Sequence, residues 1–232
     1  STLPFPLWIR PADQSQKFLF TFLNTFIILT LYRTRAAAVN ISRTPDPTFF
    51  EETTEMPGFR IEQDGFVITD YNRSKPFASF LPGIAGLWGK PLWVYYVNRA
   101  QCVSSLGTNN KDGAIVEFRA ANKAYRDTAL QGFRTFLKVR AGKGFVYYEP
   151  FQTPDLDSSI EQTMTIKPGS VTLCDRHPRL GLDCAVEYFT LPHEDTPALA
   201  RILSITNTGK KPVTLELLDG LPELREAVAA FT

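Results

Sequence analysis

The chain has 232 residues, and its 25 basic and 24 acidic side chains leave a net charge of +1. That length accommodates one large domain, or one domain with extensions. Near-cancelling charge excludes the strongly basic surface that nucleic acid or an anionic membrane requires, so no nucleic-acid partner is expected. Cys102, Cys174 and Cys184 are too few for a disulfide framework and predict a reduced, cytoplasmic protein. Aromatic residues make up 12% of the chain, with 18 Phe. Such a composition suits β-strands, and it serves a sandwich core and a sugar-stacking surface equally well.

In chain order, Phe18 to Leu31 is an apolar run shorter than the roughly 20 residues that span a bilayer. Lys17 precedes it and Ala36-Ala37-Ala38 follows, in the manner of a signal peptide, which would make the protein secreted. Arg33 and Arg35 interrupt that pattern, and an amphipathic helix packed on the domain is the other structural reading. The Asn40-Ile41-Ser42 and Asn72-Arg73-Ser74 sequons carry meaning only in a secreted chain. Pro45, Pro47 and Pro57 mark an extended linker, so residues 1–57 form an apolar segment and linker ahead of the domain.

From Phe59 onward, short β-rich runs alternate with turn signals. Phe59–Glu62 and Phe66–Tyr71 flank Asp64-Gly65, a hairpin signal. Trp93–Asn98, Val103–Leu106 and Ile115–Phe118 follow, and Phe133–Arg140 and Phe145–Glu149 are joined through Gly142-Lys143-Gly144. Phe133, Thr135, Leu137 and Val139 alternate with Arg134, Lys138 and Arg140, predicting one buried and one solvated sheet face. Val213, Leu215 and Leu217 alternate with Thr214 and Glu216 in the same way. Further strands are expected at Glu161–Ile166, Val171–Cys174, Asp183–Leu191 and Leu199–Thr206. Roughly ten to twelve strands in this rhythm predict an all-β, antiparallel sandwich over residues 58–222, with a short helix possible at each end. Pro222–Ala230 has the composition of a helix start, so residues 223–232 read as the beginning of a helical linker.

Each chemical motif has an ordinary structural counterpart. Cys174, His177, Cys184 and His193 have zinc-ligand chemistry, but the second pair is loosely spaced and the pattern favours unrelated partners over a metal site. Cys174 and Cys184 could be bridged across a hairpin, which an odd cysteine count disfavours. Asp155 with Asp157, and Glu194 with Asp195, supply the paired carboxylates of glycoside chemistry, though solvated acids in loops are common. The glycines of residues 82–89 lack the strand, helix and Lys-Ser/Thr ending of a phosphate cradle. The densest stretch is Lys75–Gln101, where Phe77, Phe80, Trp88, Trp93, Tyr95 and Tyr96 crowd with Asn98, Arg99 and Gln101. Rings stack on sugar C–H faces while amides and guanidinium groups bond hydroxyls. The competing reading is a core strand bordered by a docking loop, and residue physics alone favours it.

Three stretches carry a resemblance: KPFASFLPGIAGLWGKPLWVYYVNRAQ (75–101), AANKAYRDTALQGFRTFLK (120–138) and ITNTGKKPVTLELLDGLP (205–222). FVYYEPF (145–151) fits between the second and third. In order and spacing they resemble the N-terminal region of glycoside hydrolase family 94 phosphorylases, over about residues 58–222. The nearest branch is the 1,2-β-oligoglucan phosphorylases, related to cellobiose phosphorylase and the C-terminal part of cyclic β-1,2-glucan synthase. The resemblance implies a galactose mutarotase-like sandwich, a helical linker and an (α/α)6 catalytic barrel. It also implies inverting phosphorolysis, with inorganic phosphate as co-substrate and one Asp protonating the glycosidic oxygen. That Asp belongs to the barrel, so no catalytic residue, metal or cofactor is expected in this chain. The implied partners are the barrel, a β-glucan oligosaccharide and, in some relatives, a second subunit. The clustering of sugar-compatible groups makes Trp88, Asn98, Arg99 and Gln101 the candidate substrate-binding residues. The rival expectation is a free-standing carbohydrate-binding or interaction module.

Overall fold

The computed structural model describes residues 7–9, 16–23, 26–36, 58–62, 65–81, 85–108, 112–156 and 158–222, the first three segments as backbone only. The strands begin with β1 (Leu7–Ile9), β2 (Gln16–Leu23) and β3 (Phe26–Ala36). Within the apolar run, residues 18–23 and 26–31 are therefore paired strands, with Leu23 opposite Phe26, where an amphipathic helix was one of the readings of the sequence. Phe, Ile, Thr and Leu dominate this run, and β-branched and aromatic residues favour pleated backbone over helix. Next come β4 (Phe59–Glu62), β5 (Gly65–Thr69), β6 (Ala78–Leu81), β7 (Leu92–Val97), β8 (Val103–Thr108) and β9 (Ala114–Val116). After helix α1 (Ala121–Gln131) follow β10 (Arg134–Ala141), β11 (Gly144–Tyr148), β12 (Glu161–Ile166) and β13 (Ser170–His177). The last strands are β14 (Leu182–Thr190), β15 (Ala198–Asn207) and β16 (Leu215–Gly220).

The described strands form three sheets: nine strands in the order β1-β2-β3-β15-β14-β13-β12-β5-β4, four in the order β6-β7-β8-β9, and three in the order β11-β10-β16. Every described pairing is antiparallel except β3 with β15. The all-β sandwich expected from the strand rhythm is the observed fold. One face of the large sheet, carrying Ile68, Met164, Leu173, Val186 and Leu203, packs against Val94, Tyr96 and Leu106 of the four-stranded sheet and Leu137 and Val139 of the three-stranded sheet. In β10 the predicted alternation holds: Thr135, Leu137 and Val139 are buried and their neighbours are not. In β16 it fades, because Leu217 is already exposed. The β10–β11 hairpin closes with Ala141 opposite Gly144, and Gly142 takes φ +60°, a left-handed conformation that glycine adopts without strain.

The helix lies mid-chain rather than at an end; residues 223–232, where a terminal helix was expected, lie outside the described residues. Helix α1 is built from good helix formers and buries only Ala124 and Thr128, one turn apart. Its small buried residues let it lie close on β7 and β8. Among the described residues, no helix is long and apolar enough to cross a membrane.

Two buried carboxylates tie the layers together. Asp219 on β16 meets Arg201 on β15 through bonds of 2.6 and 2.9 Å, and both side chains are almost wholly buried. Asp175 on β13 accepts from the Tyr148 hydroxyl at 2.5 Å, the Phe151 N–H at 2.6 Å and Gln162 Nε2 at 2.8 Å.

Candidate functional site

The Lys75–Gln101 stretch divides its aromatics between two faces. In β7, Leu92, Val94 and Tyr96 are buried, so the intervening Trp93 and Tyr95 point outward. Phe80 of β6 stands opposite Tyr95 and shares that outer face. Its ring centroid lies 5.0 Å from Tyr95, 6.4 Å from Trp93 and 6.0 Å from Phe118. Phe118 rests over β8 at Gly107, where a Cβ would approach the ring to 2.8 Å. Glycine at this register position, opposite Trp93, thus leaves room for the ring. Phe77 and Tyr96 go the other way and pack against the core.

The result is an aromatic platform on the outer face of the four-stranded sheet, with Phe80 48% and Trp93 44% exposed. At one side Tyr125 of α1 lies beneath the Arg99 guanidinium, 5.3 Å from its ring centre. Burial raises the Tyr125 phenol pKa, and neighbouring Tyr95 adds to the shift. Arg119, just after Phe118, is bound to Asp127 at 2.6 Å and approaches Glu117 at 3.4 Å. Its bond holds the Asp127 carboxyl below its usual range. Flat rings bordered by paired charges can take the C–H face of a sugar without desolvating a lone ion.

The four residues singled out in the sequence do not share one surface. Trp88 is 81% exposed, on a turn at residues 86–88. That turn is held from below: the His193 N–H donates to Ala85 O at 2.7 Å and the Lys90 N–H to Glu194 O at 3.1 Å. The His193 ring fills the space where any Cβ at Gly86 would lie. Asn98, by contrast, is buried and engaged with backbone: its Oδ1 accepts from the Phe77 N–H at 2.8 Å, and its Nδ2 donates to Tyr71 O and Lys75 O. Gln101 is buried in the Arg201 network, donating to Thr135 and accepting from Arg201 and Tyr188. Arg99 is half-buried, with its guanidinium donating to three carbonyls, of Tyr71, Ser74 and Asn98. These groups hold a corner at which Ala100 and Cys102 adopt positive φ of 46° and 57°. Their polar chemistry serves the corner's backbone and its neighbours.

The four residues with zinc-ligand chemistry, which the sequence reads as unrelated, are likewise divided. Cys174 is exposed and Cys184 buried, on opposite faces of neighbouring strands, so no bridge joins them. His177 packs edge-on against Tyr148, whereas His193 lies on Gly86. Among the described residues no three metal-ligating side chains come together. Of the paired acids, Asp157 lies outside the described residues, and Glu194 and Asp195 sit exposed in the loop that braces the Trp88 turn.

Sequence reasoning missed Phe118 as a platform member and missed the buried Asp175. The Gly107 position, opposite a tryptophan in the next strand, was the available signal for Phe118. A scan against models of known protein families matches none, and a search of the curated proteins finds no match either.

Proposed function

We propose that this chain is the non-catalytic N-terminal sandwich domain of an inverting glycoside phosphorylase acting on β-1,2-gluco-oligosaccharides to release glucose 1-phosphate. The observation that carries the reading is the placement of residues 75–101. The stretch most similar to that family supplies Phe80, Trp93 and Tyr95 to the exposed aromatic platform. In this reading the platform and the Trp88 turn guide the oligosaccharide, while the proton donor and phosphate site belong to a helical barrel. Only one protein carboxylate is required there, because phosphate replaces an activated water. The outer face of the three-stranded sheet, with Tyr147 79% and Leu218 69% exposed, also supports a domain made to pack against another.

Calorimetric titration of the 232-residue chain with β-1,2-gluco-oligosaccharides, with cello-oligosaccharides as control, tests this reading. Saturable, linkage-selective binding that Phe80→Ala weakens is the expected result. A folded sample that binds neither series would remove the platform from substrate handling. The second reading, a free-standing carbohydrate-binding module, rests on the same solvent-facing platform. Coding DNA downstream of Thr232 separates the two: an open frame encoding paired helices supports the phosphorylase, and a stop codon supports the module.

A further inference from the structure

The three-stranded sheet ends at β11, and no described strand lies beyond it. The hairpin fixes which backbone groups face that free edge. Antiparallel pairs alternate between residues that exchange both backbone bonds and residues that turn those groups outward. Ala141 and Gly144 close a two-residue turn, so they, Val139 with Val146, and Leu137 with Tyr148 are the bonded pairs. Arg140 with Phe145, and Lys138 with Tyr147, are the outward pairs. The Arg140 N–H agrees with this phase: it turns away from β11 and donates to Thr214 O at 2.9 Å. Phe145 and Tyr147 therefore aim their N–H and C=O groups off the edge of the sheet.

The strand lacks the devices that guard such an edge. Residues 144–148 hold no proline and no charge, and their pairing with β10 has no bulge. Phe145, Val146 and Tyr147 are 49%, 38% and 79% exposed. The sheet's other edge, β16, has Glu216 and Asp219 in its run.

We infer that β11 pairs antiparallel with β11 of a second copy of this chain, about a two-fold axis at Val146, so that two three-stranded sheets become one of six. The edge's own sequence selects both the copy and the register. A two-fold axis normal to the sheet keeps each pair of opposed side chains on one face. Among registers centred within the exposed run, the one at Val146 sets Phe145 opposite the partner's Tyr147, and Tyr147 opposite the partner's Phe145. Both are outward pairs, so together they make four backbone hydrogen bonds across the axis. Their rings share the outer face, where Lys138 already lies over Phe145 at 4.4 Å, and opposed aromatic pairs stabilise a ladder. At each end Lys143 comes opposite the partner's Glu149. That carboxylate also bonds Arg134, so the charge pairing aligns the ends rather than carrying the dimer. Centring on Phe145 instead sets Lys143 against the partner's Tyr147, and centring on Tyr147 sets Phe145 against the partner's Glu149. Neither alternative matches both rings and charges. At a net charge of +1 the copies have little long-range repulsion to overcome. Edge pairing needs neither the phosphorylase reading nor the aromatic platform.

Sedimentation velocity of the whole chain reads the dimer, and cysteine crosslinking reads its register. A Cys174→Ser background leaves only the buried Cys102 and Cys184. In it, Val146→Cys brings two thiols together across the axis, at a pair with Cα atoms about 4.5 Å apart. Tyr147→Cys sets them two residues out of step, beyond the roughly 7 Å that a disulfide spans. Val146→Cys should oxidise to a covalent dimer about tenfold faster than Tyr147→Cys. Equal rates, or a faster Tyr147→Cys, overturn the inference. A wild type that stays monomeric up to about 1 mM overturns it as well, and that measurement stands whether or not a variant folds. Leu218 lies on the opposite edge strand, so association without crosslinking at position 146 assigns the contact to the outer face and rules out the edge.

Discussion

At the scale of single residues, Asn98 shows how binding chemistry is redirected to folding. One side chain satisfies an N–H and two carbonyls of the segment between β5 and β6. Nearby, Tyr71 donates to Ala100 O and Phe151 O, and Asn72 bridges the same two residues. Both Ala100 and Phe151 have positive φ, so this node fixes two left-handed corners at once. Asn98→Ala strands the Phe77 N–H and the Lys75 carbonyl, while Tyr71 O keeps its bond from Arg99, and should cost about 2 kcal/mol of stability, read by urea denaturation. A loss near zero would show that the corner does not depend on it. Asp175 gives a pH-dependent counterpart. Burial raises its carboxyl pKa, although bonds from Tyr148, Gln162 and the Phe151 N–H pull the other way. A pKa higher in the folded than in the unfolded state means that folding favours the protonated form. The resulting stability is fully present below the unfolded value of about 3.9 and is lost as pH rises through the folded one. The stability of wild type relative to Asp175→Asn should therefore increase as pH falls from about 7 to about 4. A gap that is flat or shrinks toward acid, measured by denaturation at each pH, would refute the assignment.

At the scale of elements, most strands were legible and the helix was not. Phe59–Glu62 and Glu161–Ile166 match the expected limits because apolar alternation and flanking turn residues agree there. Residues 121–131 escaped because the helix buries little: Ala124 and Thr128 leave no apolar stripe, and no acidic residue marks the first turn. Its start lacks a side-chain cap. Ala120 occupies the N-cap position with extended backbone, φ −56° and ψ 144°, and is exposed. Ala120→Asp should satisfy a first-turn N–H and favour the positive helix end, stabilising the protein by about 1 kcal/mol. Thermal unfolding measures this, and an unchanged or lower midpoint would show that the end is satisfied otherwise. The candidate site was half legible for a similar reason. Residues 93–98 were expected as a strand, but the division of its aromatics into an outer face with Trp93 and Tyr95 and an inner Tyr96 was not drawn from the sequence. Nothing local reveals that Asn98 and Gln101 turn inward, because the partners that hold them, Tyr71 and Arg201, lie far away in the chain.

At the scale of the molecule, the two smaller sheets are finished to different degrees. The four-stranded sheet has α1 against β7 and β8, and its remaining outer rings contact one another. On the outer face of the three-stranded sheet, Phe136 faces Leu218 across the ladder, and Lys138 lies over Phe145 at 4.4 Å and bonds Glu216. Tyr147 and Leu218 stay largely in water, beside a groove of about 450 Å³. Exposed apolar side chains gathered on one sheet face, here around the Lys138–Glu216 pair, mark a contact surface, and without a partner they promote association. The 232-residue chain should therefore self-associate with rising concentration, and Leu218→Lys should return it toward monomer without changing its circular dichroism. The substituted position is on an edge strand and already exposed, so the charge costs no core packing. Sedimentation velocity reads both effects. If the wild type stays monomeric across the accessible range, this face is tolerated by water as it stands. The case for a domain built to pack against a barrel would then lose its structural support, and the free-standing module would become the better account.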